Sequence, residues 1–153
     1  MTQEDKMLLI KDLSARLPYA VTVEHTSGFR GTLHDIAVHH MYDENDNVYD
    51  AICYTDFFGD GDGIYIEYFK PYLFPLSSMS EKQKQEFLSV AGYEVREEDC
   101  GRHTETYYYN MVGHEHNFYP NCDAIDWLNK NHFDYRELIE KGLAIDATGL
   151  NIY

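Results

Sequence analysis

The chain is short of positive charge, and the shortage is concentrated. Its 153 residues hold 12 Lys and Arg against 27 Asp and Glu, a formal net charge of -15, and no Lys or Arg occurs between Gly31 and Phe69. Nucleic-acid affinity comes largely from cationic side chains that displace phosphate counterions, so a field of this sign argues against direct nucleic-acid binding. Long apolar runs are missing too. No stretch approaches the roughly 18 to 20 residues that a bilayer-spanning helix needs. The opening MTQEDKMLLIKDL puts charges where a secretory leader needs an unbroken apolar segment, so the expectation is a cytoplasmic protein with no membrane association. Cysteine is scarce: Cys53, Cys100 and Cys122 are an odd count without a CxxC pair. That excludes the disulfide framework of a small secreted domain and reads as free thiols in a reducing compartment.

What is present suffices for a folded core. Hydrophobic residues make up 44% of the chain and Tyr alone supplies 14 positions, a composition that disordered segments do not have. The length fits a single domain, and residues 1–153 are read as one, since no repeat, linker or low-complexity tract divides them.

The local patterns alternate between helix and strand. Thr2 with Asp5 makes a capping box for a first helix carrying Met7, Ile10, Leu13 and Leu17 at helical spacing, stopped by Pro18. From Tyr19 the period becomes two, with Val21 and Val23, then Thr26-Ser27-Gly28 as a turn, then an extended Phe29 to Val38. Val48 to Tyr54 and Ile64 to Phe69 read as two more strands, and Pro71 and Pro75 end regular strand structure. Ser80 with Gln83 caps a helix from Glu81 to Ala91, closed by Gly92. Two further extended segments follow, Tyr93 to Arg96 and Thr104 to Val112. Asp123 then caps a helix from Ala124 to Asn131, and Asp134 with Glu137 starts another over Tyr135 to Lys141. The expected fold is α+β: a twisted antiparallel sheet packed with the N-terminal and C-terminal helices. The spacing of Val21, Val23, Gly31, Leu33 and Ile36 loosely resembles the opening strands of SH3-like or Sm-like small barrels, which would curl that sheet.

Three segments also have a specific look: Leu8 to Val23; KPYL at Lys70 to Leu73 with Pro75 and SSMSE at Ser77 to Glu81; and DWLNKNHFDYRELIEKGLA at Asp126 to Ala144. They resemble a group of small hypothetical proteins from anaerobic gut bacteria and from their phages and mobile elements. The resemblance implies a setting, a phage or mobile-element protein, and assigns no catalytic residue. Read from the residues themselves, the same segments hold the fold: the prolines fix extended backbone, and Trp127, Phe133 and Tyr135 are large apolar groups with polar tips suited to a core edge.

Motifs for chemistry are sparse. There is no GxSxG elbow, P-loop, HExxH or GxGxxG. The run Asp56 to Gly63 brings carboxylates and glycines together. As a calcium loop begun at Asp56, however, it puts Phe58 at the third ligand position, so a flexible acidic turn is expected instead. His114 and His116 would share one face of a strand and, with Cys122, form part of a zinc set, but two or three such residues leave the set incomplete. No metal and no cofactor is therefore expected.

The residues left over point to recognition. Nine carboxylates stand in the cation-free window, eight of them besides Asp35: Asp43, Glu44, Asp46, Asp50, Asp56, Asp60, Asp62 and Glu67. Tyr107-Tyr108-Tyr109 is an aromatic run, and alternation along a strand leaves Tyr108 or its neighbours facing solvent. Carboxylates and aromatic faces bind Lys and Arg by ionic and cation–π contact. These residues are the expected surface for a basic protein partner, most naturally a nucleic-acid-binding protein whose phosphate track the acidic face imitates. The alternatives are a small enzyme using His103, His114, His116 and Cys122, and a structural or assembly subunit; no feature of the sequence specifies an oligomeric state.

Overall fold

A computed structural model describes residues 1–42, 47–56, 63–99, 104–110 and 121–153, with backbone alone for 39–42, 47–49, 94–99 and 104–110. The fold is α+β, and the chain divides into two compact units, residues 1–76 with 132–153, and residues 77–131.

In the first unit, α1 (Gln3–Arg16) begins at the expected capping box. Thr2 Oγ1 accepts the Asp5 N–H at 3.1 Å and the Asp5 carboxylate accepts the Thr2 N–H at 3.0 Å, which satisfies two of the donors a helix start leaves unpaired. The buried face differs from the expected stripe. Leu9, Ile10 and Leu13 are buried while Met7 is exposed, and the same face carries Asp12 and Arg16, both fully enclosed. Residues 9, 12, 13 and 16 recur at intervals of three and four, so they stack on one side of the helix.

Strands β1 (Thr22–His25), β2 (Arg30–Tyr42), β3 (Asn47–Thr55), β4 (Ile64–Tyr65) and β5 (Phe69–Pro75) build the sheet. Its order is β4-β3-β2-β1-β5-β8, with β9 also paired to β5, where β8 is Phe133–Asp134 and β9 is Ile145–Asp146. The path is open, with two ends, so the described strands do not close a barrel. Pairing is antiparallel from β4 through β5, as expected, but β8 and β9 join β5 in parallel and make the sheet mixed. One face buries Val21, Val23, Leu33, Ala51, Cys53 and Phe69 in a cluster with Leu9 and Leu13 of α1.

Three local expectations need correcting. Ile64 to Phe69 is not one strand: β4 ends at Tyr65 and a 3-10 turn spans Ile66–Tyr68 before β5 begins. Pro71 does not end the strand: it lies inside β5, which stops at Pro75 as expected. Thr26 donates to the Tyr68 carbonyl at 2.9 Å, and counting back along the register puts Val23 and Pro71 at a pair that exchanges no hydrogen bonds, so β1 asks nothing of the missing proline N–H. Tyr135 to Lys141 is not a helix. Asp134 folds its carboxylate over the N–H groups of Arg136, Leu138 and Ile139 at 3.2, 3.0 and 2.8 Å, and Glu137 sits at φ 60°, which a right-handed helix cannot contain.

The second unit holds α2 (Glu81–Val90), β6 (Tyr93–Asp99), β7 (Thr104–Asn110) and α3 (Cys122–Lys130). Ser80 and Gln83 form the expected box, and Gly92, at φ 80°, closes the helix in a conformation that side chains resist. α3 starts two residues earlier than the sequence suggests. Its cap is Asn121, whose side chain accepts the Ala124 N–H at 2.8 Å, and Asp123 instead puts its charge in the positively polarised first turn. Phe87 of α2 meets Trp127 of α3 with ring centroids 5.5 Å apart, and β6 and β7 form an antiparallel pair of their own.

Candidate functional site

The hairpin of β2 and β3 spans the first part of the acidic window, with Asp35 on β2 and Asp50 on β3. The two strands stay paired from Leu33↔Thr55 to Tyr42↔Asn47, whereas β1 accompanies β2 only through Thr32. Beyond that point β2 runs on for roughly 30 Å at about 3.3 Å per residue, paired on one side by β3 alone among the described strands.

Several of the expected partner-binding carboxylates have internal roles. Lys6 of α1 reaches Glu67 at 2.6 Å and Asp50 at 3.4 Å, and these anions, Glu67 first, raise its pKa. Asp50 also accepts the following backbone N–H, that of Ala51, at 3.0 Å. Asp56 closes the open end of the hairpin, its carboxylate taking the Thr32 N–H at 2.7 Å. Tyr108 lies on β7 opposite Val95, and its side chain falls outside the described residues. So do Asp43, Glu44, Asp46, Asp60 and Asp62, together with His103, His114 and His116. Cys122 is exposed at the first position of α3, and no group of three or more His, Cys, Asp or Glu suited to a metal ion occurs among the described residues.

Two polar groups escaped the sequence reading. On the sheet, Glu24 of β1 accepts from Arg30 Nε at 3.0 Å and from the Tyr72 hydroxyl, while the Arg30 guanidinium lies 4.9 Å over the Tyr72 ring. The Tyr72 hydroxyl, then Arg30, hold the Glu24 carboxyl below its ordinary pKa, and burial pushes Tyr72 up to about 12. The register announces this group only after folding, because Glu24 stands opposite Arg30 on one side and Lys70 on the other.

The second group is buried. Arg16 binds Asp12 at 2.7 and 3.1 Å and donates to the Phe133 carbonyl at 2.8 Å, and Arg136 approaches the same carboxylate at 3.2 Å. The Tyr135 ring lies under both guanidinium groups. The signal was legible in principle, since Asp12 and Arg16 share the spacing of Leu9 and Leu13. Beside them His132, at φ 57°, stacks on Tyr153. Burial, then the Arg16 charge, depresses the His132 pKa to about 4. The Tyr153 hydroxyl accepts the Thr22 N–H at 3.3 Å and donates to the Tyr72 carbonyl at 2.7 Å, bridging β1 and β5.

Chemically, the described thiol of Cys53 is no nucleophile, since burial pushes it up to about 12. What the described residues offer is charge and hydrogen bonding along the sheet. No protein-family model, no curated protein and no solved structure matches this chain.

Proposed function

We propose that the chain is a non-enzymatic interaction protein of phage or mobile-element setting, whose acidic hairpin occupies a basic nucleic-acid-binding site on a partner protein. The observation that supports this reading is the length of the β2–β3 pairing past the last rung with β1, because it joins Asp43, Glu44 and Asp46 to the far end of a two-stranded ribbon. A two-stranded ribbon fits a channel about 12 Å wide, so a protein groove with room for a nucleic-acid duplex has room for it. Asp50, Asp56 and Glu67, tied to Lys6 and Thr32, serve to stiffen its base.

The test reverses charge where no described contact is broken. A D43K/E44K/D46K variant and the parent chain are used to capture binders from the native cell, identified by mass spectrometry, and the captured protein is then challenged with duplex DNA. The parent chain should compete with DNA for that partner, at least tenfold better at 50 mM than at 300 mM salt, and the variant should not compete. Equal capture by both chains with no salt dependence would leave the acidic window a solubility feature.

A further inference from the structure

A cleft of about 340 Å3 opens where the β1–β2 turn meets the start of β5, lined among others by Glu24, His25, Thr26, Tyr68, Lys70 and Ile145. We propose that it binds a small planar carboxylate, an aromatic acid, with Lys70 as the counter-charge. This proposal does not rest on the acidic hairpin.

Glu24 faces Lys70 in the β1–β5 register and Thr26 is bonded to Tyr68 two residues along, so these four side chains share one face of the sheet. In a chain with more than twice as many acids as bases, Lys70 is exposed and has no ion pair among the described residues. Its cross-strand neighbour Glu24 is engaged by Arg30 and Tyr72 instead. Of the charged residues that line the cleft, Glu24 is thus matched by Arg30, which stands outside it, and Lys70 is left without a counter-charge. The nearest acid in sequence, Glu67, is paired with Lys6 at 2.6 Å. More distant carboxylates are screened within about 8 Å at physiological salt.

His25 supplies direction. The Ser27 N–H donates to its Nδ1 at 3.2 Å, and the Ser27 hydroxyl lies 2.6 Å from the same atom. Nδ1 is therefore the acceptor, and the ring proton sits on Nε2, a donor. Tyr68, 44% exposed, and Ile145 give the cleft apolar walls suited to a flat ring.

The anion is a carboxylate and not a phosphate because the local backbone donors are spent. Gly28 N–H goes to the His25 carbonyl at 2.8 Å and Thr26 N–H to that of Tyr68. A dianion needs several such donors and would sit beside ionised Glu24. The volume lies at the small end of the roughly 300–1,000 Å3 typical of ligand sites, so a fragment-sized molecule is expected, with Kd on the order of 1 mM.

Benzoate is the probe, titrated into the whole chain while the backbone amides of His25, Thr26 and Lys70 are followed by two-dimensional NMR. Saturable shifts are expected at these amides, at least tenfold weaker for the neutral isostere benzamide and for Lys70→Met. Lys70→Arg should retain binding, and Tyr68→Ala should reduce benzoate to the level of acetate. Lys70 is exposed on a strand, so its variants should keep the parent spectrum elsewhere. The D43K/E44K/D46K chain should bind benzoate as the parent does, which separates this site from the hairpin. Shifts that stay linear to 20 mM, that match for benzamide, or that persist unchanged in Lys70→Met would overturn the proposal.

Discussion

Arg16 grips Asp12 with two hydrogen bonds, at 2.7 and 3.1 Å, one helical turn apart, and neither side chain reaches solvent. Such a pair resists the loss of one member far more than the loss of both, because a lone buried charge has no water to replace its partner. Asp12→Ala should therefore cost about 3–5 kcal/mol, since it strands Arg16 and also deprives Arg136 of its anion. The D12L/R16M double variant should recover much of that loss. Urea unfolding of the two single variants and the double variant measures the coupling, and additive losses would show that the pair is not the unit argued here.

The burial of His132, beside the Arg16 charge, makes stability depend on pH. Folding lowers the His132 pKa from 6.5 to about 4. Between those values the unfolded chain takes up a proton that the folded chain refuses, so stability is fully present above about pH 6.5 and falls as pH drops toward 4. The loss should reach up to about 3 kcal/mol. His132→Asn suits the left-handed backbone at this position and should flatten that part of the profile, as followed by urea midpoints at pH 7.0, 5.5 and 4.5.

Tyr153→Phe keeps the ring and deletes the hydroxyl that links Thr22 to Tyr72. A loss of roughly 1–2 kcal/mol is expected. Hydrogen exchange at the Thr22 amide should quicken more than exchange in α1, and equal acceleration throughout would indicate a global effect instead.

Gly63 is required for space. A Cβ there would lie 2.1 Å from Ile52 Cγ2 and 2.9 Å from the Tyr54 ring, so these side chains would have to move. Gly63→Ala should lower stability by about 1–3 kcal/mol, read from the thermal midpoint.

The two described cysteines should part company under alkylation. Cys122 is exposed, while Cys53 is buried with its thiol pushed up to about 12. Iodoacetamide at pH 8 should modify Cys122 in the native chain and reach Cys53 only after denaturant is added, as located by peptide mass spectrometry.

Local signals were legible where the interaction itself is local. The Thr2 and Ser80 boxes span three residues each, and the hairpin strands display their alternation in the sequence. What could not be read depends on distant partners. β8 and β9 are two residues each, too short for any period, and exist because β5 offers them an edge. The Asp134 carboxylate looked like a helix cap, and its choice of N–H groups is decided by the left-handed turn at Glu137. Of the site residues, the acidic window was plain from composition. The Arg30–Glu24–Lys70 row needed the register of three strands to bring positions 24, 30 and 70 side by side.

The dependence of β5 on residues from the far end of the chain also governs when the protein can fold. Phe74 must wait for Phe133, and Tyr72 for Ile145, with the whole of residues 77–131 intervening. During synthesis, β1 and β5 can pair early while the other edge of β5 stays bare until β8 and β9 have left the ribosome. A bare edge of that kind invites pairing with another chain, and closing so long a loop is slow. The completed sheet is thus a late event, and the interval before it is the time when this protein is most exposed to aggregation.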